Sequence, residues 1–108
     1  MKTYNKLVRD RIPEIIAKDG SISKTRALDD QEYRQELLKK LQEEALEVIE
    51  AKDDKKELTK EIGDVLEVID YIIKAFEINK DEVMKIKAER RESRGGFDDR
   101  IFLEYTDS

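Results

Sequence analysis

Apolar residues recur at helical spacing through the middle of this chain. One face is formed by Leu58, Ile62, Val65, Ile69, Ile72 and Phe76, at steps of three or four residues. Pairs with the spacing of a capping box mark three helix starts, namely Asp29 with Glu32, Asp54 with Glu57, and Asn79 with Glu82. The pattern predicts three helices, one running from Asp29 to about Lys52, one from Asp54 through about six turns, and one from Asn79 to the pair Gly95-Gly96.

The two ends of the chain predict shorter elements. Pro13 suits a first helical turn and Gly20 a left-handed cap, which predicts a short helix from Asp10 to Asp19. Residues 21–28 look extended and residues 100–105 alternate, so a small β pairing between them is possible. We therefore expect one all-α domain over residues 1–108. Two long antiparallel helices and shorter helices would form a bundle that dimerisation completes, because so small a domain buries little surface alone.

The composition removes several kinds of chemistry. The 108 residues include 27 acids and 22 bases but no histidine and no cysteine. This excludes a Ser-His-Asp triad, a thiolate nucleophile, a zinc site of nitrogen and sulfur ligands, and disulfides. Catalysis would have to use carboxylates, lysines, tyrosines, hydroxyls or hard metal ions. No apolar run approaches a membrane span and no signal peptide is visible, so we expect a soluble, cytoplasmic protein without a membrane partner.

The charge is unevenly distributed along the chain. Residues 1–26 carry +4, residues 27–84 carry −9 and residues 85–108 carry 0, for a net charge of −5. A protein that binds DNA or RNA normally has a basic total or a dominant basic face, so a nucleic-acid polymer is not an expected partner. An acidic centre beside basic arms suits a site that holds cations and an anion together.

The acids of the two central helices fall into two groups on a helical wheel. Glu44 and Glu61 project into the apolar stripes of their helices, whereas Glu47 and Asp64 project to the edges. Buried ionised carboxylates need a cationic partner. Lysines such as Lys40 could neutralise them, but four carboxylates in a chain without histidine suit Mg²⁺ or Mn²⁺. The alternative is that these acids merely flank the cores of two amphipathic helices.

Three segments of the chain resemble a known family. The pattern Glu44-x-x-Glu47 and Glu61-x-x-Asp64, within LQEEALEVIEA and ELTKEIGDVLEVIDYI, resembles the metal-binding signature of the MazG-like all-α nucleoside triphosphate pyrophosphohydrolases. The start YNKLVRDRIPEII and the end RGGFDDRIFLEY are similar to a small single-domain subgroup. That subgroup is described as house-cleaning pyrophosphatases and sometimes labelled phosphoribosyl-ATP pyrophosphohydrolase-like.

The resemblance implies an enzyme that cleaves the bond between the α and β phosphates of a nucleotide. The products would be a monophosphate and pyrophosphate. The metal ion, Mg²⁺ or alternatively Mn²⁺, would be held by Glu44, Glu47, Glu61 and Asp64. Glu43 or Glu47 would orient the attacking water, and the sequence does not choose between them. The favoured substrate is a noncanonical nucleoside triphosphate, and the alternatives are phosphoribosyl-ATP or a noncatalytic, charged helical interaction module. Relatives form dimers and higher assemblies, so a homodimer or larger homo-oligomer is expected.

Basic residues form the remaining candidate site. One face of the last predicted helix carries Lys87, Arg90, Arg91 and Arg94, and the amides of Gly95 and Gly96 follow it. These residues, together with Lys6, Arg9 and Lys40, are candidates for binding the phosphate chain of a substrate. The alternative is that the glycines only end a helix, the arginines are solvated, and Lys6 and Arg9 pair with acids of a neighbouring helix.

Overall fold

A computed structural model describes residues 1–107, which form four α-helices and no β-strand. The helices are α1 (Ile12–Lys18), α2 (Asp30–Ala51), α3 (Lys55–Ala75) and α4 (Lys80–Arg94). The all-α class predicted from the sequence is therefore confirmed. Contacts divide the chain into two units, Met1–Glu77 and the residues from Ile78 onward, which are described separately. The assignment of residues 1–108 to one domain stays a prediction, and Ser108 lies outside the described residues.

Side chains cap the three longer helices where the sequence predicts. Asp29 accepts a hydrogen bond from the Glu32 amide at 2.8 Å, Asp54 from Glu57 at 3.2 Å, and Asn79 from Glu82 at 3.0 Å. Each bond satisfies an amide that has no partner inside its own helix, and such a cap contributes about 1 kcal/mol. The predicted starts of α2, α3 and α4 are confirmed.

Helices α2 and α3 form an antiparallel hairpin. Only residues 52–54 join them, and Lys52 adopts a φ of 43°, in the left-handed region that allows a sharp reversal. At the open end, Nε of Arg34 donates to the carbonyl of Ala75 at 2.9 Å. Leu37 and Val68 are the buried apolar residues of the described chain. The hairpin therefore sets the middle of α2 beside the middle of α3.

The leading helix is shorter than predicted. Helix α1 begins at Ile12 and ends at Lys18, inside the predicted limits of Asp10 and Asp19. The amide of Gly20 donates to the carbonyl of Ala17 at 3.0 Å, and the φ of Gly20 is 85°. A positive φ of this size favours glycine, so the predicted left-handed position after the helix is confirmed.

The predicted β pairing of residues 21–28 with residues 100–105 is wrong. Within residues 1–107, neither segment is a strand. Most of their apolar side chains are well exposed, as shown by Ile22 at 99% and Phe102 at 87%, and only Leu28 is half-buried. A two-stranded ribbon is marginal without an apolar face to bury, and these segments bury little. Among the described helices, none is long and apolar enough to cross a bilayer.

Candidate metal centre

Four acids from the two helices of the hairpin converge on one point. Glu44 and Glu47 come from α2, and Glu61 and Asp64 come from α3. Each offers one carboxylate oxygen, and these oxygens all lie within 4.8 Å of one another. Glu44 and Glu61 are 7% and 9% exposed, as their positions in the apolar stripes predict. The antiparallel hairpin thus builds a cluster of four carboxylates, which we call the acidic cluster.

The acidic cluster has too little positive charge around it. Oε2 of Glu44 and Oε2 of Glu61 are buried, and neither has a hydrogen-bond partner among the described residues. Burial, reinforced by the carboxylate of Glu47, raises the pKa of Glu44 to about 7, while Lys40 opposes the shift. Burial and the carboxylates of Glu47 and Asp64 also raise the pKa of Glu61. Buried carboxylate oxygens without a partner are costly, so the cluster could be stabilised by a bound cation.

The donor set fits a hard divalent cation. The cluster offers only carboxylate oxygens, which are ligands that Mg²⁺ and Mn²⁺ prefer, and it contains no nitrogen or sulfur ligand. Two protein cations reach it, because Nζ of Lys40 lies 3.7 Å from Glu44 and Nη2 of Arg9 lies 2.9 Å from Asp64. They leave the four carboxylates with excess negative charge and the two buried oxygens unbonded.

The N-terminal segment contacts both helices of the hairpin. Lys6 donates to Glu43 of α2 at 3.1 Å, while Arg9 donates to Asp64 of α3 at 2.9 Å and to Glu67 at 3.4 Å. Pairing with acids of a neighbouring helix is the alternative that the sequence left open for these two residues. The sequence assigned no partner to Glu67, although it lies one turn after Asp64 on the same face.

Glu43 lies outside the acidic cluster, between two lysines. Its Oε1 is 3.1 Å from Nζ of Lys6, and its Oε2 is 3.6 Å from Nζ of Lys40. Burial alone would raise the pKa of Glu43, but the hydrogen bond from Lys6 and the charge of Lys40 outweigh it and lower the pKa. Of the two acids proposed to orient water, Glu47 therefore lies within the cluster and Glu43 beside it.

A cavity of about 200 Å³ opens next to Glu43. Its lining residues are Asn5, Lys6, Leu7, Glu36, Lys39, Lys40 and Glu43. The sequence singled out Lys6, Lys40 and Glu43, but it gave no reason to include Glu36 or Lys39. The available signal was the run Lys39-Lys40, one turn before Glu43.

The basic candidates near the C-terminus belong to the second unit. Lys87, Arg90, Arg91 and Arg94 are exposed on α4. Gly95 has a φ of 83° and donates its amide to the carbonyl of Arg91 at 2.8 Å, so it caps the helix. Gly96 follows it in an exposed segment. Phosphate binding by these residues stays a prediction.

The fold and the acidic cluster define a class of protein, namely an all-helical protein with a cluster of four carboxylates that could hold a metal ion. A family model described as phosphoribosyl-ATP pyrophosphohydrolase matches residues 1–91. The chain belongs to this family, and it is a nucleotide pyrophosphohydrolase. The resemblance to the MazG-like enzymes is confirmed. Because the family is one of enzymes, membership argues against the alternative of a noncatalytic interaction module. No curated protein and no solved structure gives a match.

Proposed function

We propose that the protein is a Mg²⁺-dependent hydrolase that cleaves the bond between the α and β phosphates of a nucleotide. The observation that carries this proposal is the acidic cluster, in which two buried carboxylate oxygens have no hydrogen-bond partner. A divalent cation would supply what those oxygens lack. Mn²⁺, which accepts the same oxygen ligands, is the expected substitute. Free nucleotides are cytoplasmic metabolites, so the proposal keeps the cytoplasmic location expected from the sequence.

Two substrates follow from two different observations. The family model that matches residues 1–91 favours phosphoribosyl-ATP. The closing segment RGGFDDRIFLEY lies beyond the matched residues, and its resemblance to the house-cleaning subgroup favours a noncanonical nucleoside triphosphate. Both substrates carry the same triphosphate chain. We place phosphoribosyl-ATP first, because the match covers most of the chain.

The four acids would hold the metal from two directions. Glu44 and Glu61 approach from the buried side, whereas Glu47 and Asp64 lie at the more exposed edge, where water and substrate have access. When bound, the metal would polarise phosphoryl oxygens, lower the pKa of a bound water and neutralise the departing pyrophosphate.

Glu47 is the better candidate to orient the attacking water. It lies in the acidic cluster, whereas both oxygens of Glu43 are engaged by lysines. A carboxylate whose pKa is lowered by two ammonium groups is a weak base. In this proposal Glu47 accepts a hydrogen bond from the water, and Glu43 holds the lysines in place.

Basic side chains would bind the phosphate chain in this proposal. Arg9 reaches the acidic cluster through Asp64, and its planar guanidinium suits a phosphate oxygen as well as a carboxylate. The exposed basic residues of α4, which are Lys87, Arg90, Arg91 and Arg94, together with the amides of Gly95 and Gly96, remain candidates for the same role.

We also propose that the protein is a homodimer. Leu38 and Ile49 of α2 and Ile62 and Leu66 of α3 are 46–64% exposed, and on a helical wheel they project away from the acidic cluster. Their shared face is apolar and unpaired, which suits a second copy of the hairpin. Leu37 is 4% exposed and buried, so it is not part of this face.

Sedimentation tests the dimer. We expect the wild type to sediment as a dimer and Leu66→Glu to sediment as a monomer, because a charge in a closely packed apolar interface is costly. Ile22→Glu is the control, since Ile22 is exposed at 99% and lies outside this face. A wild type that remains monomeric at high concentration would exclude the dimer.

Pyrophosphate release tests the activity. Purified protein should be assayed with phosphoribosyl-ATP and with canonical, deoxy and oxidised nucleoside triphosphates, each with Mg²⁺, with Mn²⁺ and with EDTA. We expect at least one nucleotide to yield its monophosphate and pyrophosphate with either metal, and none to react in EDTA. Turnover that persists in EDTA would exclude the metal-dependent mechanism.

A further inference from the structure

The lysines around Glu43 are held in a fixed arrangement. Lys6, from the N-terminal segment, and Lys40, one turn earlier on α2, bind the two oxygens of the same carboxylate. The Lys40 side chain is 16% exposed, so little of it is free to move in solvent. A buried lysine costs rotamer entropy and hydration. Lys40 is therefore more constrained than a lysine of an ordinary surface ion pair, whereas Lys6 is 41% exposed.

The cavity beside this arrangement carries a surplus of positive charge. The residues that line it include three lysines, Lys6, Lys39 and Lys40, and two acids, Glu36 and Glu43. Each ammonium has three N–H donors, and within the described residues Lys6 and Lys39 each pair with one carboxylate. The volume of about 200 Å³ is several times the roughly 30 Å³ that one water occupies, so a phosphate group has room.

Lys40 links the cavity to the acidic cluster. Its Nζ lies 3.6 Å from Glu43, which lines the cavity, and 3.7 Å from Glu44, which belongs to the cluster. An anion in the cavity would therefore lie beside the metal centre. The two sites have opposite charge preferences. The acidic cluster favours a cation because it lacks positive charge, and the cavity favours an anion because its lysines have more N–H donors than carboxylate partners.

We propose that this cavity is an anion site that binds the pyrophosphate end of the nucleotide through Lys6, Lys39 and Lys40. This assignment rests on the proposed function, because it takes the acidic cluster as the place of bond cleavage. Glu43 acts as a positioning residue that holds Lys6 and Lys40 on the same side of the cavity. The site belongs to the first unit and requires no residue of α4.

Inorganic pyrophosphate tests the site without metal or turnover. The wild type, Lys6→Gln and Lys39→Gln should be titrated with pyrophosphate in EDTA, with calorimetry for affinity and amide NMR shifts for location. We expect each substitution to weaken binding about tenfold, the loss expected for one charge-assisted hydrogen bond. The shifted amides should lie near residues 5–7 and 36–43. Lys6→Arg, which keeps the charge, should restore most of the affinity.

The control is Lys24→Gln, an exposed lysine outside the cavity, which should bind pyrophosphate as the wild type does. Thermal melts check that each variant folds. Equal affinity of the wild type, Lys6→Gln and Lys39→Gln would overturn the site, and so would shifts confined to α4.

Kinetics separate this inference from the proposed function. We expect Lys6→Gln to raise KM for the nucleotide and to weaken product inhibition by pyrophosphate, with a smaller effect on kcat. Turnover with unchanged KM and product inhibition in Lys6→Gln would overturn the inference and leave the function standing. Lysine-dependent pyrophosphate binding without turnover of any nucleotide would contradict the function and the assignment of the cavity to substrate, but not anion binding itself.

Discussion

Glu43 and Glu44 are neighbours on one helix, yet their surroundings are opposite. Glu43 has a lysine on each carboxylate oxygen, and its pKa is lowered. Glu44 is buried among other acids, one of its oxygens has no partner, and its pKa is raised to about 7. The difference shows that the charges within reach, rather than the residue type, set the pKa of each carboxylate, and it makes Glu44 rather than Glu43 the candidate metal ligand.

The largest expected effect comes from substitutions in the acidic cluster. Glu44→Gln and Glu61→Gln remove a ligand charge with almost no change in volume. We expect each to lower turnover and Mn²⁺ affinity by more than about 100-fold, because even partners outside the ligand shell cost roughly 10–100-fold. Metal-free Glu44→Gln should melt at a higher temperature than the wild type, since a buried charge that the carboxylate of Glu47 repels is gone.

Glu43→Gln is the matched control for that experiment. It makes the same chemical change one residue away, so it should leave Mn²⁺ affinity within a few fold of the wild type. Equal loss of Mn²⁺ affinity in Glu43→Gln and Glu44→Gln would show that the contrast between the two acids is wrong.

The second prediction concerns the pH dependence of the metal-free protein. The folded pKa of Glu44 is about 7, above its ordinary value of 4.5, so its protonation favours the folded state at low pH. This stability is lost as the pH rises through about 7. We expect the melting temperature in EDTA to fall between pH 5.5 and pH 8. The fall should be about 4–8 °C for each kcal/mol of unfolding free energy that is lost.

Two additions complete the pH experiment. Glu44→Gln should flatten the profile, since the titrating group is removed. Saturating Mg²⁺ should raise the melting temperature most at high pH, because the metal binds the ionised carboxylates. A metal-free profile that is the same in the wild type and in Glu44→Gln would assign the pH dependence to other groups.

Glu43 should show the opposite pH dependence at a smaller amplitude. Its folded pKa is lowered, so its ion pairs stabilise the protein above its ordinary pKa of 4.5 and are lost as the pH falls through the folded pKa. Its side chain is 33% exposed, so we expect Glu43→Gln to cost less than about 1 kcal/mol at pH 7. Urea unfolding at pH 7 and pH 4 measures the stability lost in Glu43→Gln. A larger loss at pH 4 than at pH 7 would contradict this prediction.

The smallest effect is expected at Lys60. It pairs with Glu57 at 3.6 Å, and both side chains are well exposed. Lys60→Gln should change the free energy of unfolding by less than about 0.5 kcal/mol and should leave pyrophosphate affinity unchanged. If it weakened pyrophosphate binding as much as Lys6→Gln, the effect would depend on overall charge rather than on the cavity.

Local patterns in the sequence predicted the hairpin and the acidic cluster. The caps at Asp29, Asp54 and Asn79 depend on residues three positions away, and the convergence of Glu44 with Glu61 follows from helical periodicity and a short link. The caps and the convergence of the acids both depend on residues that lie close together in the sequence. The helical wheel could therefore place the buried acids before their partners were known.

The sequence could not predict contacts between distant segments. Lys6 reaches Glu43 from 37 positions away, and the sequence around Glu43 does not indicate this partner. The same is true of Glu67, because its partner Arg9 comes from the N-terminal segment. The β pairing, by contrast, was predicted but is not formed. Alternating apolar residues such as those in 100–105 form a strand only when they have a surface to pack against.

The short link between α2 and α3 has a consequence for how the protein folds. All four acids lie between residues 44 and 64, so closing one small hairpin brings them together, and the entropy of closing so short a loop is modest. Local contacts of this kind form early, within the microsecond-to-millisecond times of helical proteins. A divalent ion present during synthesis would therefore encounter an assembled acidic cluster before the terminal segments of the chain have packed.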